Sequence, residues 1–122
     1  MIDSRKIAEW VAEAADDKKA CNITLMDVER VSSVTDYFVL CSGATPIQVK
    51  AIAQHVEKKL LEAGCMLYHS EGANVGNWIL LDFGVVVVHV MLEREREFYN
   101  LERLWSNGKV VAWTPQPLQS AG

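Results

Sequence analysis

The groups in this 122-residue chain that could do chemistry are three histidines, three cysteines and several carboxylates. His55, His69 and His89 are far apart in sequence, and no H-E-x-x-H or Cys/His cluster brings two metal ligands to one helix or turn. No metal site is therefore expected. The stretch Cys41–Thr45 (CSGAT) lies between an apolar run and a helix-like segment, where free helix N–H groups could cradle a phosphate. A nucleotide-transferring enzyme with that layout also needs paired carboxylates for two metal ions, and no D-x-D follows. Glu93, Glu95 and Glu97 alternate, but Arg94 and Arg96 interleave with them where a helix begins, and acidic residues are favoured there by the helix dipole. Asp82–Gly84 spells the kinase tripeptide DFG without the glycine-rich loop, strand lysine or H-R-D loop of a kinase, so it reads as a turn. Cys41 sits in an apolar run, where a thiol is inert.

The stretch Trp78–Met91 (WILLDFGVVVVHVM) poses the sharper question, because His89 stands among valines. On a strand, Val85, Val87, His89 and Met91 face one way and Val86, Val88, Val90 and Leu92 the other. The all-aliphatic set belongs on the core. Trp78, Leu80 and Asp82 form one face of the preceding run, and Ile79, Leu81 and Phe83 the opposite one; alternation does not say which lies beside His89. Two readings of His89 follow. It is a core histidine bonded to a neighbour, or it belongs to a sheet face with Trp, Leu and Met that a partner covers.

The elements that must position these groups read as follows. Asp3–Ala20 is helical, with Ile7, Trp10, Val11 and Ala14 on one stripe. NITLMDVE, from Asn22, is a strand, and YFVLCSG, ending at Gly43, is a strand covered on both faces. Thr45, Pro46 and Gln48 supply a cap, a first-turn proline and a capping-box amide, ahead of a stripe of Val49, Ile52, Ala53, Val56 and Leu60 that Gly64 closes. Ser42 and Gly43 shape the strand-to-helix turn. CMLYHS is a short strand, EGANVGN a loop, and the two runs about DFG form a hairpin. From Arg94 a helix carries Phe98, Leu101, Leu104 and Trp105. The fold class is α/β (α+β): a mixed sheet of about five strands with helices packed on it, in the order α-β-β-α-β-β-β-α. Residues 1–108 form one domain and residues 109–122 a partly flexible tail.

Composition narrows the function. Half the residues are hydrophobic and 23% are charged, as in an ordinary globular domain. No apolar run approaches the ~18 residues of a membrane span. Three widely spaced cysteines read as reduced thiols, and the opening segment carries neither a signal core nor an Arg-rich leader, so a cytoplasmic protein is expected. The net charge of -4 argues against a broad grip on nucleic acid and suits a basic partner.

The joint pattern TDYFVLCSGAT, QVKAIAQHV, EG, WILLDFG-VVVHVM and REFYNLERLW resembles the ribosomal silencing factor family, also called the Iojap family, over about Ile7 to Trp105. Two positions depart from the family pattern: Val85 replaces a usual acidic residue and Ile47 a frequent basic one. The resemblance implies a nucleotidyltransferase-like fold without catalytic carboxylates, no cofactor and no enzymatic activity. It implies binding to the large ribosomal subunit through ribosomal protein L-fourteen, which blocks small-subunit joining and represses translation when nutrients are short. Trp78, Leu80 and Leu81 are then the apolar anchors, although alternation forbids all three from pointing outward. His89 and Met91 extend the patch, with Tyr99, Glu71 and Asp82 near its rim. The rival readings are a nucleotidyltransferase-like enzyme and a ribosome-independent module that hides the same patch in a homodimer.

Overall fold

The computed structural model describes residues 3–30, 32–73, 76–99 and 109–111, and of residues 97–99 and 109 the backbone alone. Helix α1 spans Ser4–Asp17, and the Asp3 carboxylate caps it by accepting from the Lys6 N–H at 2.9 Å. Strands β1 (Cys21–Asp27) and β2 (Tyr37–Gly43) follow, then helix α2 (Pro46–Glu62) and strands β3 (His69–Glu71), β4 (Trp78–Asp82) and β5 (Val86–Leu92). Helix α3 covers Glu93–Tyr99, and strand β6 covers Lys109–Val111.

The sheet order is β3-β4-β5-β2-β1-β6. The β2–β5 pair is parallel, in register from Tyr37 beside Val86 to Gly43 beside Leu92; the other pairs are antiparallel. Every residue of β2 is buried, and in β5 all but His89, as a strand pair covered on both faces requires. The sheet thus has six strands where about five were expected. Lys109–Val111, read as the start of the tail, pairs with β1 through Leu25 and Val111. Three residues without a period leave no strand signal. Of CMLYHS only His69 and Ser70 lie in β3. Residues 112–122 and the expected helix-stripe positions Leu101, Leu104 and Trp105 lie outside the described residues, as does the Phe98 side chain.

Helices α1 and α2 cover one face of the sheet. Ile7, Val11, Ala12 and Ala15 of α1 and Val49, Ile52, Val56 and Leu60 of α2 pack with Leu25, Val39, Cys41, Ile79, Leu81, Val88 and Val90. Fully burying one of the larger aliphatic side chains contributes about 1.5–3 kcal/mol, so packing outweighs the cap, at about 1 kcal/mol, in holding α2. The cap decides where α2 begins. Thr45 Oγ1 accepts from the Gln48 N–H at 3.1 Å, and Gln48 Oε1 accepts from the Ala44 N–H at 2.8 Å. The Gln48 amide also donates to the carbonyls of Lys18 and Lys19, which ties the start of α2 to the end of α1. At the far end Gly64 takes a φ of +88°, and the Cys65 N–H reaches back to the Leu60 carbonyl at 2.8 Å.

The turn between β4 and β5 is the one the DFG reading describes. Asp82 Oδ1 accepts from the Gly84 N–H at 2.8 Å, and Gly84 sits at φ +89°. The entry to β4 depends on another glycine. Gly72 has φ +87°, and a β-carbon there would lie 2.0 Å from the Trp78 carbonyl oxygen. Gly72→Ala is expected to lower the unfolding free energy by more than roughly 2 kcal/mol, combining positive-φ strain with a backbone clash; a shift in the urea midpoint measures it, and an unchanged midpoint would contradict this geometry.

Candidate functional site

The second face of the sheet carries the sequence-selected residues. Neighbours across strands share a face, and the register gives one row: Glu71 beside Leu80, Leu80 beside His89, His89 beside Leu40, and Leu40 beside Thr24. A parallel row sets Trp78 beside Met91 and Ser42. Accessibility falls along the first row from Glu71 to Leu40 and returns at half-buried Thr24. Glu71 on edge strand β3 is exposed, Leu80 and His89 are half-buried, and Leu40 is fully buried. One open part of this face is the β3–β4–β5 side, where Trp78 and Leu80 pack on a floor of Met26, Val28, Phe38, Leu40, Val87 and Met91.

One expected anchor, Leu81, and one expected extension of the patch, Met91, are not on the surface. Leu81 points to the opposite face and is buried under the helices, because it pairs with Val88 in the aliphatic core. It is not an anchor. Met91 faces the patch but is fully buried beneath Trp78, so it supports the surface and does not extend it. The Asp82 carboxylate is half-buried and engaged in the DFG turn, and His69 lies opposite it across the strands. Glu71 meets the His69 ring at 2.6 Å on the exposed edge. Tyr99 closes α3, and its side chain lies outside the described residues.

His89 meets the first reading made of it, and it lies on the open face that the second requires. It is half-buried and bonded to a neighbour: its Nδ1 accepts from the Trp78 indole N–H at 3.0 Å. It also belongs to the partly open face. Its ring centroid is 5.6 Å from that of Phe38 and 6.0 Å from that of Trp78, at 34° and 60° between planes. Burial pushes its pKa down to about 4, so the imidazole is neutral at pH 7.

The remaining chemistry is closed off. Burial raises the Cys41 thiol to about 12, with nearby Arg96 pulling weakly the other way, so no thiolate is available at neutral pH. Ser42 is fully buried and accepts from Arg96 Nη1 at 3.3 Å; the same guanidinium reaches Thr24 Oγ1 at 2.8 Å and the Asn22 carbonyl. Nothing in the sequence singles out Arg96 from its neighbour Arg94, because the contact joins residues over seventy positions apart. The amides of Ala44, Gln48 and Val49 at the start of α2 are already bonded, and Pro46 has none, so the CSGAT turn offers a phosphate little. Among the described residues no three His, Cys, Asp or Glu side chains could hold a metal ion, and no helix is long and apolar enough to cross a membrane.

A second apolar surface was not foreseen. Exposed Val34, Met66, Tyr68 and Val85 line a groove of about 490 Å³ with Ser32, Thr35 and Asp36. These residues lie singly in loops and turns and carry no periodic signal. Val85 stands in the turn and not on β5, and Ile47 is also exposed, so both positions departing from the family pattern are apolar groups at the surface.

The buried neutral histidine has a pH signature. The unfolded chain protonates His89 near its ordinary value of 6.5, while the folded chain resists until about 4. The stability this neutral ring contributes is therefore complete above pH ~6.5 and is lost as pH falls toward 4, by on the order of 2–3 kcal/mol. Urea midpoints taken from pH 7 to 4 should drop further for the wild type than for His89→Phe; equal drops would rule out this source.

Comparison with known proteins agrees with the fold. A family model described as ribosomal silencing factor during starvation matches residues 1–121. The ribosomal silencing factor RsfS of Bacillus subtilis is 41% identical over 110 residues, covering 90% of this chain and 93% of that protein. A mouse protein named for mitochondrial assembly of the ribosomal large subunit is 33% identical over 92 residues, 73% of this chain and 40% of its own length. A crystal structure of a Chromobacterium violaceum protein superposes with a TM-score of 0.84 at 34% identity, over 99% of this chain and 100% of that one. With a six-stranded mixed sheet matching solved relatives and a family pattern running from end to end, the chain belongs to the ribosomal silencing factor family.

Proposed function

We propose that this chain represses translation as a non-enzymatic wedge: it docks on the large ribosomal subunit through ribosomal protein L-fourteen and occupies space the small subunit must enter. The observation that carries the reading is the half-exposed Trp78–Leu80–His89 surface, set on a fully packed floor and bordered by Glu71 and Asp82. An aromatic and a leucine held on a rigid sheet lose little freedom on docking, and interface centres favour such aromatic anchors. The acidic border and the net charge of -4 suit a basic ribosomal protein better than bare RNA. The name of the mouse relative supports the large subunit as the target. The bonded CSGAT amides, buried Ser42 and inert Cys41 favour a binding role over nucleotidyl transfer.

Size is sufficient for the mechanism. A domain of this length has a radius of gyration near ~14 Å, and a contact burying on the order of 1,200–2,000 Å² in total supports specific binding. No catalytic step is needed, since two bodies cannot share one volume. This action belongs in the cytoplasm, where subunits join.

Two measurements test the proposal. The purified protein should co-sediment with large subunits in a sucrose gradient and lower the yield of joined ribosomes; unchanged joining at saturating protein would count against it. Trp78→Ala should weaken binding to L-fourteen by more than about 1 kcal/mol while the far-ultraviolet circular dichroism stays that of a folded chain. Undiminished affinity in a folded Trp78→Ala chain would remove Trp78 as an anchor.

A further inference from the structure

The hydrogen bond between Trp78 and His89 has a directional consequence. An indole N–H donates and never accepts. His89 Nδ1, 3.0 Å from Trp78 Nε1, must therefore be the lone-pair nitrogen. In a neutral imidazole the proton then sits on Nε2. Among the described residues every buried side-chain nitrogen and oxygen has a partner, and none of these residues accepts the Nε2–H, so this nitrogen lies where solvent reaches it. His89 is half-buried on the partly open face, in the row between Leu80 and Leu40. The ring is wedged against Phe38 and Trp78, so the donor's position is set by packing.

We propose that His89 is a specificity-determining residue of the docking face: Trp78 locks it as the Nε2–H tautomer, and the Nε2–H is offered to a neutral carbonyl oxygen of the docked protein. The proposal rests on the docking reading above and adds the group that sets register within it. Apolar contacts from Trp78 and Leu80 tolerate sliding, whereas one N–H donor in an apolar surround does not, because a misplaced partner leaves that N–H buried and unpaired. The acceptor is a carbonyl and not a carboxylate, since Glu71 and Asp82 share this face and would repel an anion.

The first test needs no partner. A two-bond proton–nitrogen correlation spectrum of the ¹⁵N-labelled full chain at pH 7 should show His89 Nδ1 unprotonated and Nε2 protonated, with Trp78→Phe moving the ring toward a mixture of tautomers. A protonated Nδ1 in the wild type overturns the proposal. The second test uses purified L-fourteen. His89→Phe should weaken binding about tenfold, and His89→Gln, which keeps an N–H donor at similar reach, should stay within about threefold of wild type. His89→Phe binding like wild type, while wild type binds, overturns the donor and leaves the docking reading standing. Wild-type chain that fails to bind L-fourteen overturns both. Should the phenylalanine variant not fold, the complex of the wild type decides. Its Nε2–H should exchange with water more than tenfold slower than in the free chain, and equal exchange overturns the proposal.

Discussion

The parallel pairing of β2 with β5 is the constraint from which the rest follows. Two strands running the same way require a crossover connection, and the chain supplies it with α2 and the β3–β4 segment between them. Antiparallel β4 then adds to the free edge of β5 through the three-residue turn Phe83–Val85, and β3 adds beyond it. On the other side β1 and β6 extend the sheet from β2. The pair is buried on both faces, so substitution by a charged residue at any β2 position would strand that charge away from water. His89 is the single half-exposed position of β5, in the row that leads out through Leu80 to the edge strand.

The sheet's two faces have different work. The helix-covered face is aliphatic and sealed, and supplies most of the apolar burial. The second face has its own smaller cluster, closed around Leu40 and Met91 and opening toward Trp78, Leu80 and Glu71. A binding surface placed on such a floor is rigid, because its side chains rest on strands and not on loops. That suits the proposed action by exclusion, since a wedge that yields would be displaced by the incoming particle.

How much of this could be read from residues alone depends on how local each signal is. The start and stripe of α2 were legible because Thr45, Pro46, Gln48 and Gly64 each act within one turn of the helix. The burial of β2 was legible from an unbroken apolar run. Alternation sorted Trp78 and Leu80 from Ile79 and Leu81, yet the facing of each set depends on register against β5, and a slip of one residue reverses it. The pairing of Leu80 with His89 resolves this and sends Leu81 into the core. Arg96, β6 and the Val34–Tyr68 groove were out of reach for a related reason: each is created by contacts between distant segments, and none leaves a period.

The histidine among valines is explained by what an aliphatic residue there would do to Trp78. A valine or leucine at position 89 would pack against Phe38 and Leu40 without any penalty for a polar ring. It would also take this acceptor from the half-buried indole N–H, and losing one such hydrogen bond costs about 0.5–1.5 kcal/mol. The imidazole meets that need with a lone pair at 3.0 Å while remaining flat enough to stack beside Phe38. Its ring must stay neutral to serve, since a protonated Nδ1 would set N–H against N–H. The depression of its pKa to about 4 keeps that conflict outside the physiological range. The same burial that makes His89 a poor general base makes it a dependable acceptor, so the position favours recognition over catalysis.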